Sequence, residues 1–519
     1  MTDRTVAIVI GAGHNGLVCA TSLARAGMQV LCVEAGDVAG GMAAQHELAG
    51  GYRVPALAHV AYPVSAALRR ELGLDKYGYA PGPSADTIML DEQGRHLVLG
   101  SSGVSGPGLA ASDETAYPAF RQQYLRYARI LGKLFDNKPP ALRSMPFTEK
   151  AALAGLGLKL RFGLGRTAMY EFLRVAGMNI FDVLNDVFTD DRLKAGIALD
   201  AVMGSAMGPR TPGTVLTWLQ RLNGALNGPL SVQSGTQETL LPALVQAAEG
   251  AGVELRLNAR VERILIENGC AAGVVLQDGQ TIAAGLVVSG VDPRETFSRL
   301  VGARHLDAMF AHRVTQIRGK GVVAKLHLAL SGQPGFSGLS DSQLGNRLVV
   351  APSMRYMERA FNPSKYGECP EQPVLEITVP SWHNPSLAPG NHHVMSVNVA
   401  CIPCDLEGGW AGQREALAKR VISLLGRYAP NLESMIVGHE LLTPQDIEQR
   451  YGAVHGHWHH GELSMHQSFM LRPLHGASRY DTPVAGLFLC SAGCHPGGGL
   501  TGLPGRNAAR RIIERRTAP

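Results

Sequence analysis

The N-terminal region of the sequence alternates between apolar runs and a helical pattern. Residues 5–10 and 29–33 are predominantly apolar, and each stretch has the length of a buried strand. Between them, apolar and small residues recur at helical spacing over residues 15–26. The order predicts a strand, a covering helix and a second parallel strand, which is a βαβ unit.

Three glycines stand where the first predicted strand meets the helix. Gly11 permits a tight turn, Gly13 lets the backbone approach a pyrophosphate, and Gly16 allows the helix to pack closely on the strand. The ligand's negative charge would then lie at the helix N-terminus. Glu34 ends the second strand, where its carboxylate can accept hydrogen bonds from ribose hydroxyls. The stretch predicts a site for the adenosine half of a dinucleotide.

A second glycine pair follows soon after the acidic residue. Gly40 and Gly41 indicate another close approach of the backbone to the ligand, which suits an extended cofactor that continues along the domain. A nicotinamide dinucleotide normally leaves across the edge of the sheet instead. The pair therefore favours FAD, and a simple glycine turn is the alternative interpretation.

The rest of the chain divides into regions with different secondary-structure patterns. Residues 101–228 are mostly helical in pattern, residues 253–292 show short strands with turns at 268–269 and 278–279, and residues 315–470 mix strands with loops. The chain ends with a strand, a glycine-rich loop and a helix. We expect an α/β fold in which a discontinuous, Rossmann-like FAD domain of the two-dinucleotide-binding type carries an inserted α+β substrate domain. The expected boundaries are 1–100, 229–300 and 481–519 for the FAD domain, and 101–228 and 301–480 for the substrate domain.

Composition narrows the class of protein. The chain has 519 residues, 45% of them hydrophobic and 18% charged, which fits a globular enzyme with more than one core. Its net charge of +5 is small for this length and no Lys/Arg block accumulates, so we expect no nucleic-acid partner. The N-terminus does not have the pattern of a signal peptide, and the eight cysteines follow no dense spacing. We therefore expect reduced thiols and a cytoplasmic location.

Several blocks together resemble the FAD-dependent amine oxidase and phytoene desaturase superfamily. They read "VIGAGHNGLVCA" with "VEAGDVAGG", "NARVERILIENG" with "VVSGVDP", and "MLRPLHGASRY" with "GLFLCSAGCHPGGGLTGLPGRNAA". Within the superfamily the chain is similar to the phytoene-dehydrogenase-related branch, which includes the pyridine nucleotide-disulfide oxidoreductase domain-containing protein 2 group. The blocks are spread over nearly the whole chain.

The resemblance implies a set of FAD-binding residues. Those that would line the ADP and ribityl path are Gly11, Gly13, Asn15, Gly16, Glu34, Ala35, Gly40, Gly41 and Met42. Val261 would present its backbone to the adenine edge, and Gly493 would lie beside the pyrophosphate. Gly502 and Leu503 would offer N–H groups to the flavin N1/O2 edge, where the positive end of the last helix favours a reduced, anionic flavin. The sequence departs from its relatives around Gly235, where they usually carry a fuller glycine pair.

Four residues are candidates for catalysis. The resemblance places the segments of His59 and His495 near the isoalloxazine, and histidine titrates near working pH; alternatively, each only holds its loop by hydrogen bonds. His460 and Glu462 are expected to line the substrate cavity. The histidines of residues 455–466 lack a second set of acidic or cysteine ligands, so we predict no metal site there.

Two further motifs allow more than one interpretation. Cys401 and Cys404 form a CxxC pair, but it does not open a helix after a strand, and no second dinucleotide fingerprint follows a strand after residue 100. A functional disulfide is therefore not favoured. Residues 151–173 mix apolar side chains with basic ones, which fits either contact with a membrane surface or a helix or lid with a solvated face.

These observations predict an FAD-dependent oxidoreductase. The expected reaction transfers a hydride from a small, apolar or mixed organic substrate to flavin N5, with oxygen or a quinone as the electron acceptor. Two alternatives remain open. One is an isomerase or saturase that works with reduced FAD, and the other is a non-catalytic flavoprotein with an interaction role.

Overall fold

A computed structural model describes residues 6–141, 145–234 and 239–517 of the chain. Its strands are β1 (Val6–Ile10), β2 (Gln29–Val33), β3 (Gln45–Ala49), β4 (Tyr52–Pro55), β5 (Val60–Ala61), β6 (Thr87–Met89), β7 (Leu97–Leu99), β8 (Val104–Ser105), β9 (Ser231–Val232), β10 (Glu254–Arg256), β11 (Val261–Glu267), β12 (Cys270–Leu276), β13 (Thr281–Ala283), β14 (Leu286–Ser289), β15 (Val323–Leu330), β16 (Arg347–Val350), β17 (Val374–Thr378), β18 (His393–Ala400), β19 (Ile436–Leu442) and β20 (Leu487–Leu489).

The helices complete the description of the fold. They are α1 (His14–Arg25), α2 (Ala66–Leu72), α3 (Ala111–Phe135), α4 (Phe147–Leu158), α5 (Arg166–Ala176), α6 (Ile180–Asn185), α7 (Asp191–Val202), α8 (Thr214–Ala225), α9 (Leu240–Gly250), α10 (Pro293–Glu295), α11 (Ala308–Thr315), α12 (Met354–Ser364), α13 (Gln413–Gly426), α14 (Leu432–Met435), α15 (Pro444–Tyr451) and α16 (Leu503–Thr517).

A five-stranded parallel sheet forms the first layer, with the strand order β10-β2-β1-β14-β20. Its central strand β1 is almost entirely buried, as its unbroken apolar run predicts for a parallel sheet covered on both faces. Helix α1 packs against α9 and α16. The predicted βαβ unit is confirmed: β2 has the predicted bounds, and α1 begins and ends one residue earlier than predicted.

A small antiparallel sheet of β11, β12 and β13 adjoins the parallel one. Asn268 and Gly269 connect β11 to β12 with positive φ angles of 50° and 78°, the conformation that a two-residue hairpin turn requires. Gly279 has a φ of 86° in the turn between β12 and β13. Both predicted turns are confirmed.

An eight-stranded mixed sheet forms the second layer, in the order β19-β15-β18-β17-β16-β6-β7-β8. Its strands β15, β17 and β18 are buried along almost their whole length. Helices α3, α7 and α8 pack on one another beside it around Phe120, Tyr124 and Trp218, whose rings are in contact. The helical pattern predicted over residues 101–228 is thereby confirmed.

The division of the chain into two domains stays a prediction. Strands β6, β7 and β8 belong to the eight-stranded sheet and lie on either side of the proposed boundary at residue 100. Gly235 lies outside the described residues. Across the ranges that the structure describes, no helix is both long enough and apolar enough to cross a membrane.

Candidate active site

The glycine turn after β1 has the geometry that its sequence predicts. Gly11 has a φ of +93°, which favours glycine, and its N–H donates to the carbonyl of Val33 over 2.8 Å. A Cβ at Gly16 would lie 1.9 Å from the carbonyl oxygen of Gly11, so helix α1 can approach the turn only because Gly16 has no side chain. Gly13 is the N-cap of α1 and has an ordinary extended conformation, with φ −65° and ψ 165°.

Glu34 is anchored at the end of β2 by two backbone groups. Its Oε2 accepts a hydrogen bond from the N–H of Ala12 over 2.7 Å, and its Oε1 accepts one from Gly36 over 2.9 Å. A carboxylate oxygen has two lone pairs, so both oxygens retain accepting capacity. The carboxylate is therefore held in position with room to accept from ribose hydroxyls.

The second glycine pair packs against protein on one side and faces a cavity on the other. The N–H of Gly40 donates to Ala12 over 2.9 Å, and a Cβ at Gly40 would lie 2.2 Å from the side chain of Leu241. A Cβ at Gly41 would lie 3.6 Å from the Cα of Gly13. The two glycine turns are therefore neighbours in space, as a ligand that follows the backbone from one to the other requires.

One cavity of about 670 Å³ extends from the glycine turn to the eight-stranded sheet. It is within the range of about 300–1,000 Å³ that ligand pockets occupy. The predicted site residues that line it are Gly11, Gly13, Asn15, Gly16, Glu34, Ala35, Gly40, Gly41, Met42, His59, Val261 and His460. Polar residues outside the predicted site also line it, among them His14, His46, Arg221, Arg299, Glu376, Asn398, Arg450 and His459.

Three of the predicted cofactor residues lie outside the lining of this cavity, as far as the described residues show. Gly493 is next to the cavity-lining Ala492, and its own N–H donates to the hydroxyl of Ser491 over 3.1 Å. Gly502 precedes α16, and the N–H of Leu503 donates to the hydroxyl of Thr501 over 3.3 Å. Leu503 instead lines a smaller adjoining cavity of about 110 Å³.

Two of the predicted catalytic residues bind backbone groups away from the large cavity. His495 is buried beside the rings of Phe135 and Phe469, and its Nε2 contacts the carbonyl of Leu134 over 2.9 Å. Burial lowers the pKa of His495 to about 4, so the imidazole is neutral at pH 7.

Glu462 is the second of these. Its carboxylate accepts from the N–H groups of Ala206 and Lys320, over 3.2 and 3.1 Å, and lies 3.5 Å from His457. Burial raises its pKa, but the neighbouring His457 and the backbone donors outweigh burial and lower it. In this structure Glu462 connects three segments of backbone.

His59 lies at the sheet end of the large cavity, in contact with a buried polar cluster. Its Nε2 is 2.9 Å from Glu376 Oε2 and 2.8 Å from Asn398 Nδ2. Asn398 is oriented by Lys325, whose Nζ donates to its Oδ1 over 2.9 Å. Nδ1 of His59 is 3.2 Å from the hydroxyl of Thr378. Two tautomers of the neutral imidazole fit these contacts. Either Nε2–H donates to Glu376 and Nδ1 accepts from Thr378, or Nδ1–H donates to the carbonyl of Ser396, 3.2 Å away, and Nε2 accepts from Asn398.

The charges beneath His59 compensate one another. Arg347, which is 1% exposed, donates through Nε to Glu376 over 2.7 Å and through Nη1 to Asp200 over 2.8 Å. Burial alone would raise the pKa of Glu376, but the Arg347 guanidinium holds it well below its usual range. Burial and the charge on Lys325 lower the pKa of His59 to about 4. Burial also lowers the pKa of Lys325 well below its usual range.

The sequence does indicate this cluster, because polar residues interrupt the apolar runs of three strands. Glu376 interrupts the apolar run of β17, Lys325 and His327 interrupt β15, and Asn398 interrupts β18. Single polar residues inside buried strands require buried partners. Their cross-strand register makes them neighbours, since Glu376 pairs with Asn398 and Lys325 pairs with Asn398.

Several buried polar atoms in the wall of the cavity have no hydrogen-bond partner among the described residues. They include His14 Nε2, Asn15 Oδ1 and His460 Nδ1. Buried polar groups are usually paired, so unpaired atoms around a cavity indicate a polar ligand. Together with the glycine turns and Glu34, they fit a dinucleotide whose pyrophosphate lies at the N-terminus of α1.

Comparison with known proteins agrees with this geometry. The family described as "Flavin containing amine oxidoreductase" matches residues 16–513. The chain belongs to this family. It is an FAD-dependent oxidoreductase, and the resemblance seen in the sequence is confirmed. The family match includes strands of both the parallel and the eight-stranded sheet. It confirms the expected α/β architecture with a Rossmann-like FAD domain.

Individual relatives of this flavoprotein cover almost the whole chain. It is 30% identical to pyridine nucleotide-disulfide oxidoreductase domain-containing protein 2 of Rattus norvegicus, over 98% of this chain and 93% of that protein. It is 24% identical to a lycopene-forming phytoene desaturase of a Paracoccus species, over 96% and 95% of the two chains. Among solved structures, an oxidoreductase from Methanosarcina mazei superposes with a TM-score of 0.60 at 16% identity, over 98% and 100% of the chains.

The CxxC pair of this flavoprotein has unreactive thiols. Cys401 and Cys404 are free cysteines in the described part of the chain. Burial raises the pKa of each thiol to about 12, so at neutral pH both are protonated. Because the thiolate is the nucleophile in disulfide exchange, this environment opposes a redox role for the pair.

Proposed function

We propose that this enzyme removes a hydride from an organic substrate at the sheet end of the large cavity. The observation that carries the proposal is the continuity of that cavity, which joins the glycine turns and Glu34 to the wall formed by His59, Glu376 and Asn398. Bound FAD would supply N5 as the hydride acceptor. Residues of the chain itself would position the substrate carbon and take up the proton that desaturation releases.

His59 is the residue that we assign to the proton. In the tautomer that takes up the proton, Nδ1–H donates to the carbonyl of Ser396 over 3.2 Å, and the lone pair is on Nε2, beside the cavity-lining Glu376 and Asn398. The low pKa keeps this lone pair free of a proton at neutral pH, and after protonation Nε2–H would donate to the ionised Glu376. A weak base suffices, because loss of a hydride leaves an electron-deficient carbon whose neighbouring proton is strongly acidic. His460 lines the same cavity, its Nδ1 has no hydrogen-bond partner among the described residues, and it is the second candidate.

The smaller cavity, of about 110 Å³, is the site that we propose for the part of the substrate next to the reacting carbon. It shares Met203, Arg221 and His459 with the large cavity, and its lining includes the apolar Val64, Phe135, Leu463 and Leu503. Such walls suit a predominantly apolar molecule. The related phytoene desaturase supports this proposal by analogy. The electron acceptor that we propose is oxygen or a quinone.

Anaerobic mixing tests the proposal. The purified, FAD-loaded enzyme is mixed without oxygen with a panel of terpenes, carotenes and amines, and the flavin absorbance is followed. We expect at least one compound to bleach the flavin and to yield a product with one new C=C or C=N bond. His59→Gln should slow formation of that product by roughly 10²–10⁴-fold. Conversion only after chemical reduction of the flavin would contradict hydride removal and favour an isomerase or saturase.

We also propose that residues 147–173 contact a membrane surface. Large apolar side chains project from this segment into solvent: Phe147 is 84% exposed, Phe162 75% and Leu173 60%. Basic side chains accompany them, because the guanidinium of Arg161 lies over the ring of Phe162 and that of Arg166 over Tyr170. Exposed apolar residues flanked by arginines are typical of segments that lie in the interface of an anionic bilayer.

A further inference from the structure

Three potential metal ligands converge beside the large cavity, outside the histidine-rich segment 455–466. His327 on β15 and Glu440 on β19 are directly opposite each other across the two strands. His46 on β3 covers them, with its ring 5.4 Å from that of His327 in an edge-to-face arrangement. One ligand atom from each of the three residues lies within 4.8 Å of the other two.

The contacts of His327 leave one of its ring nitrogens available to bind a metal. His327 is fully buried, and its Nε2 contacts the carbonyl of Ala56 over 3.2 Å, a contact that fixes the proton on that nitrogen. Within the described part of the chain, Nδ1 of His327 and Nδ1 of His46 have no hydrogen-bond partner. A buried imidazole whose other nitrogen donates to a backbone carbonyl is the arrangement in which metal-binding histidines are usually found.

Glu440 is held in place by two basic neighbours. Arg450 donates to Glu440 Oε1 over 3.0 Å, and Oε2 faces His46 Nε2 across 2.7 Å.

We propose that His46, His327 and Glu440 bind a divalent transition-metal ion, with Zn²⁺ the best match to two imidazoles and a carboxylate. The ligand atoms would be Nε2 of His46, Oε2 of Glu440 and Nδ1 of His327. Coordination replaces the hydrogen bond between His46 and Glu440 and requires ligand distances of about 2.0–2.2 Å. Ala56 and Arg450 orient two of the ligands from behind. His46 lines the large cavity, so the remaining coordination position is open to water from that side.

The ion would hold the hairpin β3–β4 against the eight-stranded sheet at the wall of the cavity. His46 belongs to the hairpin, whereas His327 and Glu440 belong to the sheet. The site takes no part in the hydride transfer proposed above, so the two proposals stand or fall separately.

Metal binding to the FAD-loaded enzyme is the test. The enzyme and its variants are dialysed to equilibrium against buffered ZnCl₂, and the protein-bound zinc is measured by elemental analysis. We expect one zinc per chain in the wild type. In His46→Ala and Glu440→Gln zinc should bind at least about tenfold more weakly, a loss of about 1.4 kcal/mol of binding free energy. His439→Ala is the matched control, because His439 precedes Glu440 on β19 and pairs with Glu415. This variant should bind zinc like the wild type.

A second measurement keeps the proposal falsifiable if a variant loses affinity by misfolding. Zinc should raise the melting temperature of the wild type and of His439→Ala, but not that of His46→Ala, while the flavin spectrum shows that each protein is folded. Absence of stoichiometric zinc in the wild type, or wild-type affinity in His46→Ala, would overturn the proposal and leave the His46–Glu440 contact as an ion pair.

Discussion

His59 and Glu376 are 317 residues apart in the chain, yet their Nε2 and Oε2 atoms lie 2.9 Å apart in the wall of the cavity. The contact joins the segment before β5 to the centre of the eight-stranded sheet. Glu376 also accepts from Arg347, so one carboxylate contacts both the cavity-lining His59 and the buried Arg347 guanidinium.

Removing the charge of Glu376 should destabilise the protein. In Glu376→Gln the buried Arg347 keeps only Asp200 as an anionic partner, and an incompletely compensated buried charge costs about 3–5 kcal/mol. Chemical denaturation of both proteins measures the loss. Glu415→Gln is the control, because Glu415 is 56% exposed and its ion pair with His439 is worth roughly 1 kcal/mol or less. Equal stabilities of Glu376→Gln and the wild type would show that the charge pair is dispensable.

Acid should destabilise the fold through its buried histidines. Burial lowers the pKa of His14, His59, His460 and His495 to about 4, whereas in the unfolded chain each titrates near the ordinary value of about 6.5. Between these values the unfolded state binds more protons. The stability is therefore fully present above about pH 6.5 and is lost as the pH falls towards 4.

A variant isolates the contribution of one histidine. Near pH 5 each buried histidine contributes a slope of about 1.4 kcal/mol per pH unit to the free energy of unfolding. His495→Gln should reduce the measured slope by about that amount, and the difference should vanish above pH 7. An unchanged slope would show that His495 is protonated in the folded protein.

The βαβ unit of the FAD domain could be predicted because the residues that determine it are close together in the sequence. The bounds of β1, α1 and β2 follow from an apolar run, three glycines and a helical repeat that lie within a short stretch of sequence. The polar residues in the cavity wall could not be predicted in the same way, because they are far apart in the sequence. The pairing of β17 with β18 makes Glu376 and Asn398 neighbours. His59 reaches them because the segment before β5 packs against these strands. Likewise, the motif that contains Glu462 does not reveal that its carboxylate turns towards backbone N–H groups.

Glu34 should contribute to FAD affinity in addition to accepting the backbone N–H groups of Ala12 and Gly36. Glu34→Ala removes charge-assisted hydrogen bonds to the ribose that are worth roughly 1.5–3 kcal/mol in total. We expect FAD to dissociate on dilution, with a dissociation constant at least about tenfold higher by fluorescence titration. Glu267→Ala makes the same change at an exposed position at the end of β11 and should bind FAD like the wild type. Unchanged affinity in Glu34→Ala would place the ribose elsewhere.

The apolar segment should be required for vesicle binding. We expect the wild type to float with vesicles of phosphatidylglycerol and phosphatidylcholine, and the double variant Phe147→Ser, Phe162→Ser to lose most of this binding. Tyr366→Ser is the control, because Tyr366 is 76% exposed but lies outside residues 147–173. Flotation of the double variant at the wild-type level would refute contact through this segment.

FAD titration of Gly13→Ala tests the central claim, that the cofactor lies in the large cavity with its pyrophosphate against the turn after β1. Gly13 has an ordinary φ, and among the described residues no atom lies within 4 Å of a Cβ added there. The new methyl group should therefore change the stability of the apoprotein by no more than about 1 kcal/mol. It would occupy space that the pyrophosphate needs. We predict FAD affinity at least about tenfold weaker than that of the wild type and of the control Gly103→Ala. Wild-type affinity in Gly13→Ala would contradict the account.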